Sequence, residues 1–377
     1  MVLRGLSAIA VVFCHYPFEL HHWLPSAGFF ASFIGSRLDW LFNPFGYIPV
    51  LIFFSLSGYL VTLGFFSGRH NSTSAGGLKV YYRSRALRIL PLYYFSIVAC
   101  ALLYWPLAVQ SPLRVAQLFI FVENYKPAHG IIFNHVYWTM PVEMLYFFVA
   151  PFIYWALKRC NSIAKDWAIF GGLTVLFVAI AFAIFHALPV EYGAFIVDRK
   201  KWSLMARFDF IYNAMAFVLG GASVFIVKNK NYHAFFEVNR RLIKLVTGIL
   251  LVSIFAYCST WGLVQLNAGQ LNFFIAFGLI PCIALVVMGV AVLNETQRIR
   301  YRPYADYGVK LGLLSYGIYL FHMPVFDALQ KYSASFHVVM TGETMSLLAL
   351  CCTAILSYIT YHCIEKPFMK LRLSRGI

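Results

Sequence analysis

The stretch LRGLSAIAVVFCHY, from Leu3 to Tyr16, is apolar along most of its length. It nevertheless carries Arg4 near its start and His15 near its end. In an α-helix their spacing turns through about 1100°, which is about 20° past three full turns, so both side chains share one face about 16 Å apart along the axis. Ionisable groups on so apolar a helix need a reason, and the reason depends on the solvent around the helix.

Composition identifies that solvent. The chain has 377 residues, of which 61% are hydrophobic and only 12% charged. Soluble domains carry about 25% charged residues. Apolar runs recur at lengths of about 20 residues, the thickness of a hydrocarbon core. Aromatic residues make up 18% of the chain, which suits two wet interfaces with lipid between them. The fold class predicted is an all-α integral membrane protein with a single transmembrane domain over residues 1–377 and no appended soluble domain. Its first apolar stretch reads as a retained span, since no convincing cleavage site follows it.

Spans are predicted at about 3–22, 46–66, 86–106, 137–157, 167–187, 207–227, 242–263, 271–293, 311–330 and 344–364. The stretch 113–122 is too short to cross and reads as interfacial or re-entrant. With both termini in the cytoplasm, 22 of the 30 basic residues fall on the inner side. That bias obeys the positive-inside rule and explains the net charge of +16 without nucleic acid. The cluster Arg199–Lys201 is the poor fit, on the outer side beside Glu191 and Asp198. The eight cysteines show no metal-ligand spacing, so no metal is expected.

This topology puts Arg4 at the inner surface and His15 near mid-membrane. Ser57 and His322 fall about 16 Å into their own spans, and Glu143 about 9 Å below the outer end of its span. Ser57 reads most simply as a structural hydrogen bond. Two histidines and a carboxylate at similar depth could form a polar pocket, in which a neutral histidine takes a proton from a hydroxyl and a carboxylate orients it. Arg83, Arg85 and Arg88 lie at the inner start of the third span. Guanidiniums there grip phosphates bidentately, although positive-inside anchoring explains them equally well. Phosphates at the inner surface and a base half a membrane away fit a coenzyme A thioester, with acyl transfer to a hydroxyl.

At these residues the sequence resembles the acyltransferase 3 family of integral membrane acyltransferases. LRGLSAIAVVFCH is similar to the family's Arg-x10-His block, and VLIFFSLSGYLVT to its second span. YYRSRALRILPLYY is similar to its arginine-rich stretch, and HVYWTMPVEMLYFFVAP to the block that places Glu143. LSYGIYLFHMPV and HCIEKPFMKL resemble its last two blocks, which place His322 and Glu365. The usual WSL reads WTM here, through Thr139 and Met140, and Pro49 enters the second span's first turn.

The resemblance implies O-acylation, usually O-acetylation, of a carbohydrate or glycolipid acceptor, with acetyl-CoA or a related acyl-CoA as donor. It also implies that His15 and Arg4 are essential. The roles expected are general base for His15 and phosphate or thioester contact for Arg4. Arg83, Arg85 and Arg88 are expected to bind the coenzyme. Glu143 is expected to orient His15 or meet the acceptor, and His322 is a further candidate. An acyl-enzyme route through His15 or Ser57 stays open. Polysaccharide assembly proteins are possible partners, and a bacterial inner membrane is the expected location. A transporter or flippase for a glycan intermediate is the alternative, disfavoured because no internal repeat is visible.

Overall fold

The structure is a computed structural model. It describes residues 1–16, 46–70, 74–122, 131–157, 168, 171–176, 179, 202–260, 278–296, 303–336 and 340–373. Among the described residues the chain is helical and forms no strand. In chain order the helices are α1 (Val2–His15), α2 (Tyr47–Phe66), α3 (Ala75–Leu103), α4 (Trp105–Gln110), α5 (Pro112–Phe119) and α6 (Thr139–Leu157). There follow α7 (Trp202–Lys228), α8 (His233–Val238), α9 (Arg240–Thr260), α10 (Ile280–Thr296), α11 (Pro303–Ser335), α12 (Gly342–Thr360) and α13 (Lys366–Leu373). A 3₁₀ turn, His135–Trp138, precedes α6, and a π-helical segment, Tyr361–Glu365, joins α12 to α13.

Among the described residues five stretches are long and apolar enough to cross a membrane: Tyr47–Phe66, Ala75–Leu103, His135–Trp155, Tyr307–Ser335 and Thr344–Leu371. Val2–His15, Asn213–Lys228 and Ile280–Glu295 are apolar but shorter. Most of the span predicted at 167–187, and all of the cluster Arg199–Lys201, lie outside the described residues. The stretch expected to be interfacial begins within the eight-residue α5, which is too short to cross. Tyr93 and Tyr94 on α3 donate hydrogen bonds to the carbonyls of Leu118 and Phe119 at the end of α5, each at 3.2 Å.

The chain divides into two compact units. The first comprises residues 1–49, 83–141 and 303–377. In it α1 and α11 run parallel, with contacts stepping from Met1 beside Gly312 to Tyr16 beside Phe326. A Cβ on Gly312 would sit 2.4 Å from the Met1 carbonyl oxygen, so the missing side chain is what permits this approach. The part of α3 in this unit also runs parallel to α11: Tyr316 donates to the Ile89 carbonyl at 3.0 Å, and further along Tyr104 donates to the Asp327 carboxylate. α12 runs back antiparallel, with Gly317 against Ser357.

The second unit comprises residues 50–82 and 142–302. In it α2 and α7 approach closely. A Cβ on Gly58 would lie 1.9 Å from the Phe217 carbonyl oxygen, and one on Gly220 would lie 2.1 Å from that of Ser55. Small residues of this kind drive helix association in lipid, where burial of apolar surface supplies no force between helices. Phe217 also stacks on Phe54 and on Tyr146 of α6, with centroids 4.6 and 4.0 Å apart.

Pro151 interrupts α6 and removes the N–H that would bond the Phe147 carbonyl. The Tyr81 hydroxyl donates to that carbonyl at 3.0 Å instead. The neighbouring Tyr82 donates to the Phe148 carbonyl at 2.8 Å.

Gly220→Val forces a branched side chain into the Ser55 backbone. A loss of about 1–3 kcal/mol is expected, read as a lower unfolding temperature of the detergent-solubilised protein. An unchanged melting curve would refute this packing.

Candidate active site

α1 ends at His15, where Tyr16 turns to extended backbone (φ −98°, ψ 136°). Tyr16 fastens that end to two other helices. Its hydroxyl donates to the His322 carbonyl on α11 at 2.8 Å and lies 3.2 Å from Thr353 Oγ1 on α12. This brings His15, half-buried, against His322, which is fully buried. Their rings are 5.1 Å apart between centroids, and His322 Nε2 is 3.3 Å from His15 Nδ1.

Neighbouring acceptors determine the tautomers. His322 Nδ1 lies 2.9 Å from the Tyr319 carbonyl and 3.2 Å from that of Ile318. Carbonyls only accept, so this nitrogen carries the proton and Nε2 keeps its lone pair. His15 Nδ1 lies 2.9 Å from the Val11 carbonyl and also faces His322 Nε2. It too is the protonated nitrogen. His15 Nε2 is left with an available lone pair, the condition for a general base. Cys14 Sγ, 3.2 Å from the same Nδ1 and 2.9 Å from the Val11 carbonyl, completes this contact.

A second constellation stands toward the Arg4 end of α1. Glu365, on the π-helical segment and 2% exposed, accepts a bond from Arg88 Nη1 at 2.7 Å. The Met369 sulfur lies 3.1 Å from the same nitrogen. Arg4, half-buried, is within electrostatic reach of Glu365. The three arginines on α3 differ in setting. Arg83 is exposed, Arg85 is half-buried, and Arg88 is committed to a buried carboxylate. Helix geometry explains the split: Arg85 and Arg88 stand about 60° apart around the axis, whereas Arg83 is about 160° from Arg85.

Glu143 and Ser57 belong to the second unit, on α6 and α2, and both are half-buried. Within the first unit the structure joins His15 to His322 and Arg88 to Glu365, with Arg4 within electrostatic reach of that carboxylate. Two residues near the dyad carry no motif signal and were missed by sequence reasoning: Asn134 and His135. The signal that could have found Asn134 is Pro324. It removes the N–H that would bond the Leu320 carbonyl, one turn earlier on α11. Asn134, fully buried, donates its side-chain amide to that carbonyl at 2.8 Å. Nearby, the Thr139 and Tyr319 hydroxyls lie 3.0 Å apart, and Tyr319 donates to the Val136 carbonyl at 3.2 Å. The 3₁₀ turn is thereby fixed to the stretch of α11 that carries His322. Among the described residues no group of three or more potential ligands could hold a metal.

Comparison with protein families gives a match to an acyltransferase domain over residues 2–362. The chain belongs to the acyltransferase 3 family. It is an acyltransferase, and its apolar helices suit a membrane protein. No curated protein and no solved structure matches it.

Asn134→Ala leaves the Leu320 carbonyl buried without a donor, at an expected cost of about 1–3 kcal/mol in thermal unfolding. Adding Pro324→Ala returns a backbone N–H to that carbonyl and recovers part of the loss. Strictly additive losses in the double variant would refute the compensation. Glu365→Ala strands a partly buried guanidinium, and about 3 kcal/mol or more is expected to be lost in the same measurement. Wild-type stability in that variant would show the pair to be inconsequential.

Proposed function

We propose that this acyltransferase moves an acyl group, acetyl first, from acyl-CoA to a hydroxyl of a carbohydrate or glycolipid at a bacterial inner membrane. The observation that carries the reading is the His15–His322 contact, which leaves His15 Nε2 as an available base in a chain of this family. In the proposed reaction the acceptor hydroxyl oxygen attacks the thioester carbonyl carbon. The new C–O bond forms, the C–S bond breaks, and His15 Nε2 takes the hydroxyl proton. That proton then passes to the departing thiolate, giving free coenzyme A. His322 supplies the lone pair that holds His15 in the required tautomer.

The donor reaches this base from the Arg4 end in our reading. Arg4 and His15 share one face of α1 about 16 Å apart, a distance a pantetheine arm can cover. Arg85 and Arg4 take the coenzyme phosphates, with Arg83 as an outer contact. Arg88 contributes charge from its fixed place beside Glu365. Ten spans with both termini in the cytoplasm put this end on the side where acyl-CoA is made. The parallel run of α1 and α11 agrees with their being a first and a ninth span, which cross in the same direction.

His15→Ala is expected to abolish transfer from radiolabelled acetyl-CoA to extracted surface glycans in membranes holding equal amounts of folded protein. His322→Ala is expected to lower kcat about 100-fold, with the KM for acetyl-CoA little changed. Full transfer by His15→Ala would overturn the mechanism.

A further inference from the structure

The 3₁₀ turn His135–Trp138 is an unusual place to spend polar and aromatic surface. In a 3₁₀ helix the side chains at i and i+3 eclipse one another, so His135 and Trp138 line up on one face. Val136 and Tyr137 are buried, and the Tyr137 hydroxyl donates to Ser96 Oγ at 3.0 Å. His135 is exposed and Trp138 half-buried. The ring of Tyr47, itself buried, has its centroid 6.3 Å from that of the indole, at an interplanar angle of 30°. Asn134, next to His135, is bonded to the Leu320 carbonyl, two residues before His322. His135 is also within electrostatic reach of His15.

The turn therefore presents an accessible imidazole and a partly buried indole at the level of the histidine dyad. An indole face covers the C–H face of a pyranose, and an imidazole both donates to and accepts from ring hydroxyls. The donor's diphosphate is better served by the arginines at the Arg4 end, which leaves this turn to the acceptor. We propose that His135 and Trp138 form the acceptor subsite, holding a sugar ring so that one hydroxyl faces His15 Nε2. This rests on the carbohydrate acceptor proposed above and assigns residues to it. His135 is a positioning residue in this scheme, and the proton chemistry stays with His15. The turn holds its place because the Pro324 gap on α11 binds Asn134.

The test uses the purified full-length protein in detergent, radiolabelled acetyl-CoA, and two sets of soluble acceptors: a panel of methyl glycosides and a panel of simple aliphatic alcohols. His135→Ala and Trp138→Ala are each expected to raise the KM for the preferred glycoside about five- to tenfold, the loss of one hydrogen bond or one stacking contact. The KM for acetyl-CoA should stay within about twofold. Trp138→Phe and His135→Gln should recover part of the glycoside affinity, which separates contact with the sugar from a fault in folding. An unchanged glycoside KM in both alanine variants overturns the subsite and leaves the carbohydrate reading standing. So does a parallel rise in both KM values that the conservative variants fail to repair. Transfer by the wild type to an alcohol and to no glycoside overturns the carbohydrate acceptor itself, and the subsite with it.

Discussion

One backbone carbonyl organises the neighbourhood of the histidine dyad. Pro324 cannot donate to Leu320, and in a hydrocarbon environment no water stands ready to replace the missing bond. Asn134 supplies the donor from another segment of the chain. The bond has a directional consequence. The segment that satisfies Leu320 must lie against α11 beside His322, and it brings the 3₁₀ turn with it. Pro151 and Tyr81 repeat the device in the second unit, where a phenol bonds the carbonyl that a proline has released. In both cases a helix interruption becomes a docking point with a defined partner, and the partner is held by the cost of leaving a carbonyl bare.

Charge is handled with the same economy. Glu365 is almost fully buried and would be a severe liability alone, yet Arg88 meets one of its oxygens and Arg4 stands within electrostatic reach. The π-helical segment that carries Glu365 widens the helix at this point. π-Bulges of this kind occur disproportionately at functional sites. The bond restrains Arg88, and with Arg4 in electrostatic reach the cluster stays net positive. That is the balance the proposed phosphate-binding surface would need if it is to be ordered before the phosphate arrives.

Much of this was legible in the sequence, for identifiable reasons. Hydrophobic run length marks helices in lipid, because the backbone has few other solutions there, and it found the stretches around 46–66, 86–106 and 311–330. The eleven-residue spacing of Arg4 and His15 gave a shared face that an unbroken α1 preserves. The pairing of His15 with His322 could only be guessed from depth, since nothing in either segment specifies that α1 and α11 are neighbours. The glycines that let them touch, Gly5 and Gly312, look ordinary in the sequence. Arg83, Arg85 and Arg88 were read as one cluster, although helical rotation already separates Arg83 from the other two. His135 and Asn134 went unnoticed because their meaning depends on a proline nearly two hundred residues away.

The choice of a second imidazole beside His15 has a physical logic of its own. A carboxylate orients a catalytic histidine well, but in the interior of a membrane its charge is costly unless a cation or water accompanies it. His322 is neutral in the tautomer its carbonyl partners impose, and it is fully buried at no such cost. It offers one lone pair in one direction, which is what is needed to keep the proton of His15 on Nδ1. The stabilisation it lends to a transient imidazolium is weaker than a carboxylate would give, because dipole and lone pair replace a full charge. In the proposed reaction a base partnered in this way would pass its proton on to the departing thiolate.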